Sequence, residues 1–236
     1  MDARYKTITL FGAFFARQFD LSHVDAVIGA VRGRFEEFDA PPIQPALPPN
    51  APPDAPRLLM LSQNKRYALE LAPNKVGYRL TPSQPDEFGS VFGEFETRMH
   101  QLHAFLAENF NLKVIRLGLV AHLFAHLGVS ANQKLLDHFI RDERTLGHPL
   151  HELQLHALTK PMLPGDVPVN RWVRIKPLRT SDARQLDTGL SIEVDINTLP
   201  EYSQDRHARD VRAFFLGAAQ HIEERIPFLN SPVFFE

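Results

Sequence analysis

The fold is decided by residues 85–127, which read PDEFGSVFGEFETRMHQLHAFLAENFNLKVIRLGLVAHLFAHL. The first part of this stretch carries apolar side chains at three- and four-residue spacing, which is typical of one helical face. They are Phe88, Val91, Phe92, Phe95, Met99, Leu102, Phe105 and Leu106. Pro85 and Asp86 suit the first turn of this helix, and Asn109 and Asn111 suit its end. The spacing predicts a long helix with one buried side.

The second part of the stretch alternates with a period of two, which indicates a strand with one apolar face. The apolar positions are Ile115, Leu117, Leu119, Ala121, Leu123, Ala125 and Leu127. A flat strand of this length would approach about 50 Å, so we expect a bulge or bend at Gly118. We predict that the apolar positions from Ile115 to Leu123 face the long helix, with Arg116 and His122 on the opposite side.

Further strand patterns precede and follow this stretch, together with other amphipathic helices. Residues 5–19 are predicted to form a buried first strand, and short strands are expected near residues 58–61, 67–71, 76–80, 153–157, 173–175 and 190–196. The order of elements in the first half resembles a ferredoxin-type unit with an extra hairpin strand. We therefore predict an α+β fold, with a largely antiparallel sheet and amphipathic helices packed on it, in a single domain spanning residues 1–236.

Composition excludes several classes of function. The net charge of -2 gives no overall attraction to nucleic acid or to an anionic membrane. The absence of cysteine excludes disulfides, thiolate zinc sites and cysteine nucleophiles, and it fits a reducing cytoplasm. No apolar run approaches the ~20 residues that a membrane span needs. The sequence predicts a cytoplasmic location and no membrane partner.

Residues 41–56 form a connector dominated by proline, alanine and asparagine. Proline supplies no backbone donor, so this segment can be neither helix nor central strand. Its Pro-x-x-Pro spacings could bind an aromatic-lined groove of a partner protein, although a semi-rigid loop is the simpler interpretation.

The order of these motifs resembles a sporadically distributed family of uncharacterised bacterial proteins. In that family an aromatic-rich helix precedes a strand that begins Arg-Ile-Gly-Leu-Arg-Tyr, and residues 116–119 here read Arg-Leu-Gly-Leu. The strand at residues 190–196 is also similar, whereas Val120 and Ala121 stand where the family tends to show Arg and Tyr, and His122 lies near its usual Asn. The resemblance implies an α+β fold and a bacterial or mobile-element origin near defence genes, and it carries over no catalytic residue.

The sequence shows no strong catalytic or metal-binding motif. His100 and His103 are three residues apart on the predicted helix, the spacing that a shared metal ion needs, with Glu96 one turn before them. His122 and His126 would lie about 13 Å apart along a strand, too far for one ion. Neither a Gly-x-Ser-x-Gly elbow nor a glycine-rich phosphate loop is present. We predict no catalytic residue, no metal and no cofactor.

The nucleic-acid candidate is a basic cluster of Arg171, Trp172, Arg174, Lys176 and Arg179. Trp172, Arg174 and Lys176 would share one strand face, where a base could stack beside phosphate contacts.

The basic cluster could instead stabilise the sheet through ion pairs and bind no nucleic acid. The next strand places Glu193 and Asp195 on its polar face, and a hairpin would set Lys176 opposite Glu193 and Arg174 opposite Asp195. Cross-strand pairs of opposite charge stabilise a sheet by only about 0.2–1 kcal/mol each, but they would neutralise the cluster.

Three functions stay open on the sequence. The first is a non-enzymatic protein-interaction component of a bacterial cytoplasmic system associated with defence, which would have a protein partner. The second is a ferredoxin-like module that binds nucleic acid. The third is an enzyme with an unrecognised acid/base site.

Overall fold

The computed structural model describes residues 5–127, 130–139, 153–178 and 189–224 of the chain. The described helices are α1 (Val24–Arg34), α2 (Phe88–Phe110), α3 (Ala131–Phe139) and α4 (Ala208–Glu224). The described strands are β1 (Lys6–Ala16), β2 (Leu58–Leu61), β3 (Tyr67–Ala72), β4 (Lys75–Leu80), β5 (Val114–His126), β6 (Leu155–Thr159), β7 (Met162–Leu163), β8 (Val167–Pro177) and β9 (Gly189–Thr198).

The strands form one antiparallel sheet in the order β2-β3-β4-β1-β5-β9-β8-β6, with the short β7 paired to β8. The predicted α+β class and antiparallel sheet are confirmed, as is the element order of the first half. The two halves of the chain share one topology. Leaving the short β7 aside, each half runs strand, helix, three strands and helix, and its first strand lies at the centre of the sheet. The centre of the molecule is therefore the pairing of β1 with β5, the first strands of the two halves.

The core lies between one face of this sheet and the four described helices. Every strand residue in the main buried cluster lies on that face, including Leu10 and Phe14 of β1 and Leu119 of β5. Phe215 of α4 packs edge-on against Phe14 and Phe95, with ring centroids 6.2 Å and 5.9 Å apart. Helices α1 and α3 contribute buried residues to the same cluster.

Helix α2 has the buried stripe that the sequence predicts, although Phe105 is only half-buried. It ends as predicted, because Asn111 adopts the left-handed conformation that closes many helices, with φ 50°. Pro85 and Asp86 lie before the first turn and not in it, so that part of the prediction is wrong. The backbone of Asp86 is hydrogen-bonded to that of Thr7 in β1. The Asp86 carboxylate accepts a hydrogen bond from the Glu87 backbone N–H at 2.7 Å.

From Leu117 to Leu123 the apolar residues of β5 lie on the helix-bearing face of the sheet as predicted, but the helix that packs on β5 is α4, whereas α2 packs on β1. Ile115 does not lie on that face. Phe15 lies opposite Arg116 and the next residue, Ala16, lies opposite Val114. Ile115 is the extra residue of this irregularity, and Val114 takes the buried position with 1% exposure.

The bulge expected at Gly118 is absent from the described ladder, where Gly118 stays in register opposite Ala13. A Cβ at Gly118 would lie 2.7 Å from the Asn197 side-chain oxygen, so this glycine makes room for a neighbouring side chain. A second irregularity lies at Ile8 of β1, between the pairs Thr7 with Leu123 and Thr9 with His122. The irregularities of the β1–β5 ladder therefore lie near its ends and not at Gly118.

The β8–β9 hairpin has the predicted faces but a different register. Arg174 lies opposite Glu193, and Lys176 lies opposite Ser191 and not opposite Glu193. Trp172 lies opposite Asp195. A slip of two residues keeps every side chain on its face, so apolar alternation specifies the face without specifying the register.

Candidate functional site

The second face of the sheet carries none of the described helices, and we call it the open face. Phe11, Phe15, Lys75, Arg79 and Arg116 form its centre, on the neighbouring strands β4, β1 and β5. Arg79 is exposed, and the other four are half-buried. These five residues are called the central group below.

Phe11 lies over a glycine of the neighbouring strand. A Cβ at Gly77 would come within 2.5 Å of the Phe11 ring, so only glycine admits the ring at this position without a shift. The Lys75 ammonium lies 5.1 Å from the Phe11 ring centroid, within the range of a cation–π interaction. The ring is held against the sheet with a positive charge beside it.

Phe15 repeats this arrangement two positions along the same face of β1, with Ala13 between the two rings. It lies directly between Lys75 on β4 and Arg116 on β5. The Arg116 guanidinium carbon is 4.9 Å from the Phe15 ring centroid, and its Nε donates a hydrogen bond to the Thr198 carbonyl at 3.3 Å. This second ring also has a cation fixed over it.

The space between the two rings is lined by small residues. Gly77, Ala13 and Gly118 lie side by side across β4, β1 and β5, in the row between Phe11 and Phe15. The Phe11 ring lies over Gly77 and the Asn197 side chain lies against Gly118, so neighbouring side chains cover this row and hold the two rings in place.

The central group carries an excess of positive charge. Among the described residues, no carboxylate lies within 4.0 Å of Lys75, Arg79 or Arg116. Glu70 of β3 lies on this face opposite Gly77, and the charge of Glu201 acts on Arg116 from beyond ion-pair distance. These cations are available to an anionic ligand.

The basic cluster predicted from the sequence is divided between the two faces. Trp172, Arg174 and Lys176 share the open face, as expected. Arg171 points to the other face, opposite Ile196, and its Nε donates to the Thr159 hydroxyl at 3.0 Å. Arg179 lies outside the described residues.

Arg174 is neutralised by acidic neighbours. Its guanidinium forms an ion pair with Glu193 and lies 3.8 Å from the Asp195 carboxylate, while also lying 5.4 Å from the Trp172 ring centroid. His122 Nδ1 is 3.6 Å from Glu193. Burial raises the pKa of Asp195, although Arg174 and a hydrogen bond from Asn197 oppose that shift. This favours the structural interpretation for Arg174, while Lys176 stays exposed.

Sequence reasoning missed the central group for a physical reason. Both faces of β1 are apolar near its middle, since Leu10 and Phe14 point to the helices while Phe11 and Phe15 point away. The alternation of apolar and polar residues that marks a solvent-facing side is therefore missing from β1. The cations come from β4 and β5, which neighbour β1 in the sheet but are far from it in the sequence. The signal that could have revealed the group is the pair of phenylalanines four residues apart, out of phase with the core.

The two helical histidines lie in different surroundings. His103 is buried with its ring 5.5 Å from that of Phe14, whereas His100 is exposed. Within the described parts of the chain, no group of three His, Asp or Glu side chains could hold an ion.

The proline-rich connector at residues 41–56 begins as part of the sheet edge. Ile43 and Leu59 exchange both backbone hydrogen bonds, at 2.9 Å and 2.8 Å. The start of the connector therefore pairs with β2, and this portion is not free to bind a groove on a partner.

Comparisons with known proteins give little guidance. No protein-family model matches the sequence, and no curated protein is significantly similar to it. The solved structure of Methanococcus jannaschii TBP is similar with 13% identity and a TM-score of 0.30, over 92% of this chain and 99% of that chain. None of the described helices is long and apolar enough to cross a lipid bilayer.

Proposed function

We propose that this protein is a non-enzymatic binding protein that takes single-stranded nucleic acid on the open face of its sheet. The observation that carries the proposal is the central group, in which Phe11 and Phe15 each lie under a cation that has no carboxylate within ion-pair distance in the described chain. Aromatic rings beside unpaired cations are the two components that sequence-tolerant binding of single strands requires.

The rings supply stacking energy. A base stacked on an aromatic side chain contributes about 1–3 kcal/mol, and a guanidinium plane such as that of Arg116 offers a second stacking surface. Phe11 and Phe15 are four residues apart on one strand, which separates them by about 13 Å.

The cations supply the contacts to the backbone. Lys75, Arg79 and Arg116 lie on the strands that flank or bear the rings, within reach of phosphates next to a stacked base. Because the whole chain carries a net charge of -2, binding would depend on this local charge and would weaken as salt is added.

Other parts of the sequence interpretation stay predictions. A protein partner is one, and so is the bacterial, cytoplasmic and defence-associated setting that the family resemblance implies. The basic cluster would contribute less than the central group, because Glu193 and Asp195 already balance Arg174.

The test is the binding of a fluorescent oligo-dT and oligo-U of about 12 nucleotides, followed by anisotropy. The test variant is the triple substitution Lys75→Gln, Arg79→Gln and Arg116→Gln. The matched control removes the same charge at exposed positions outside the open face, with Arg34→Gln, Lys65→Gln and Arg209→Gln.

We expect the wild type and the control to bind, and the test variant to bind at least about tenfold more weakly with a shallower salt dependence. Phe15→Leu should weaken binding by about tenfold while leaving the salt dependence unchanged, because it removes stacking and no charge. Equal binding by the test and control variants, or no binding by the wild type, would contradict the proposal.

A further inference from the structure

A cleft away from the open face lies where the end of α2, the start of β5 and the start of α4 meet. Its volume is about 420 Å³, which is within the range of small-molecule sites. Ala107 of α2, Leu112 before β5 and Val114 at the start of β5 form an apolar part of its wall. The cleft shares no residue with the central group.

A buried histidine without a polar partner lines this cleft. His103 is 5% exposed, and neither of its ring nitrogens has a hydrogen-bond partner in the described chain. Its ring packs edge-on against Phe14. Burial, and secondarily the charge of His100, lowers the pKa of His103, so the ring is neutral near pH 7. A buried polar group is normally satisfied, so an unpaired one in the wall of a cleft indicates a ligand.

Groups that carry positive charge lie at one end of the cleft. Arg206 lies there, and its Nε is buried without a partner while Nη2 donates to the Tyr202 carbonyl at 3.2 Å. Helix α4 begins next to it at Ala208, which also lines the cleft. At this end the His207 N–H donates to the Asp210 carboxylate at 3.0 Å, whereas the Ala208 and Arg209 N–H groups have no partner in the described chain and lie at the positive end of the helix dipole. Lys113 adds an exposed cation at the rim.

Two carboxylates line the cleft, and a third, Asp210, lies in the first turn of α4 with the Arg209 guanidinium 3.5 Å away. Asp205 lies 3.9 Å from Arg17, which compensates its charge. Glu108 is exposed at the rim, where solvent screens it. The enclosed end of the cleft, with Arg206 and the start of α4, is the place for a negative group.

We propose that this cleft binds a small organic carboxylate, with the carboxylate at Arg206 and the start of α4 and the apolar body against Ala107, Leu112 and Val114. His103 would face the ligand body and supply one neutral hydrogen bond. The site is separate from the proposed nucleic-acid surface, so either proposal can fail without the other.

The probes are phenylacetate and its uncharged isostere phenylacetamide, which differ in charge and hardly in shape. Binding is measured by saturation-transfer NMR and by the rise in melting temperature at millimolar probe. Arg206→Gln removes the anion partner, and Ala107→Phe fills the apolar part. Arg209→Gln is the matched control, because Arg209 lies next to the start of α4 with its side chain 88% exposed and does not line the cleft.

We expect the wild type and Arg209→Gln to bind phenylacetate and to bind phenylacetamide at least about tenfold more weakly. Arg206→Gln should lose this preference for the acid, and Ala107→Phe should bind neither probe. Equal binding of the two probes would refute an anion site, and so would retention of the preference in Arg206→Gln. Absence of phenylacetate binding by the folded wild type would refute the proposal as a whole.

Discussion

At the scale of single residues, the role of a strand side chain depends on which face of the sheet it occupies. Leu119 and Val120 are consecutive, yet Leu119 is fully buried under the helices and Val120 is half-buried on the open face opposite Asp195. The sequence predicted this division correctly along β5 because the alternation there is regular from Leu117 onward. It failed at Ile115, where a local irregularity changes the phase.

Leu119→Lys should unfold the protein or come close to it. An unpaired charge buried in the core costs several kcal/mol, against a total stability of about 5–15 kcal/mol. Val120→Lys is the matched control, since its ammonium would face solvent beside Asp195 and should change stability by less than about 1 kcal/mol. Urea unfolding of both variants checks this, and equal losses would show that the faces of β5 are wrongly assigned.

His103 should make stability depend on pH in one direction. Its pKa is lower in the folded protein than in the unfolded chain, so the folded state binds fewer protons. Burial of the neutral His103 ring therefore lowers stability only at acidic pH. The folded protein has its full stability above the unfolded pKa of about 6.5 and loses part of it as the pH falls below that value. The free energy of unfolding of the wild type should therefore fall more than that of His103→Leu between about pH 7.5 and about pH 5.5. His23→Gln, at an exposed position away from His103, should follow the wild type.

At the scale of elements, close contacts explain which glycines the fold needs. A Cβ at Gly12 of β1 would lie 2.6 Å from the Met99 methyl group and 2.7 Å from the Phe95 ring, both in α2. Gly29 lies inside α1, and a Cβ there would meet nothing within 4 Å. The long helix can pack closely on the central strand because Gly12 has no side chain.

Gly12→Ala should destabilise the protein by about 1–3 kcal/mol, because the core must shift to admit the methyl group. Gly29→Ala should stabilise it by about 0.5–1 kcal/mol, because alanine is the better helix former in an open position. Thermal or urea unfolding measures both. Similar effects of the two substitutions would contradict the packing of α2 against β1.

The elements themselves could largely be predicted from the sequence, whereas their pairing could not. Regular apolar spacing identified α2 and most of β5, and Asn111 marked the end of the helix. The β8–β9 hairpin has the predicted faces but a register shifted by two residues, because apolar alternation allows Val173 to lie opposite either Val194 or Ile196. Register depends on turn geometry as well as on pattern, and residues 179–188 between these strands give no clear turn signature.

At the scale of the whole molecule, the two halves of the chain meet at the pair β1 and β5. These strands form a long ladder of backbone hydrogen bonds, from Lys6 opposite Phe124 to Ala16 opposite Val114. One cluster of buried residues extends across both halves. Separating the halves would expose this ladder and the core beneath it. The prediction of a single domain is therefore open to a direct test.

Unfolding in urea should be one cooperative transition. Trp172 is the single tryptophan and lies in the second half, so its fluorescence reports that half while far-ultraviolet circular dichroism reports the whole chain. The two probes should give the same midpoint. Separate midpoints would mean that the halves unfold independently.

The candidate site emerges only at this largest scale. The predicted basic cluster is contiguous in sequence, which is why it could be found, and its Arg174 is balanced by Glu193 and Asp195. The central group joins β1, β4 and β5, whose residues are far apart along the chain. The pairing of β4 with β1 and of β1 with β5 creates it, and no local pattern specifies that pairing.

The most direct test of the open face as a binding surface is photo-crosslinking to a 5-iodouracil-substituted single strand, with the crosslinked peptides mapped by mass spectrometry. Crosslinks should fall on β1 and β5 at Phe11, Phe15 and their open-face neighbours, and they should disappear at high salt. The triple variant of Lys75, Arg79 and Arg116 should lose them. Crosslinks confined to the exposed sides of α1, α2 or α4, or no crosslink at low salt, would contradict the assignment of the open face.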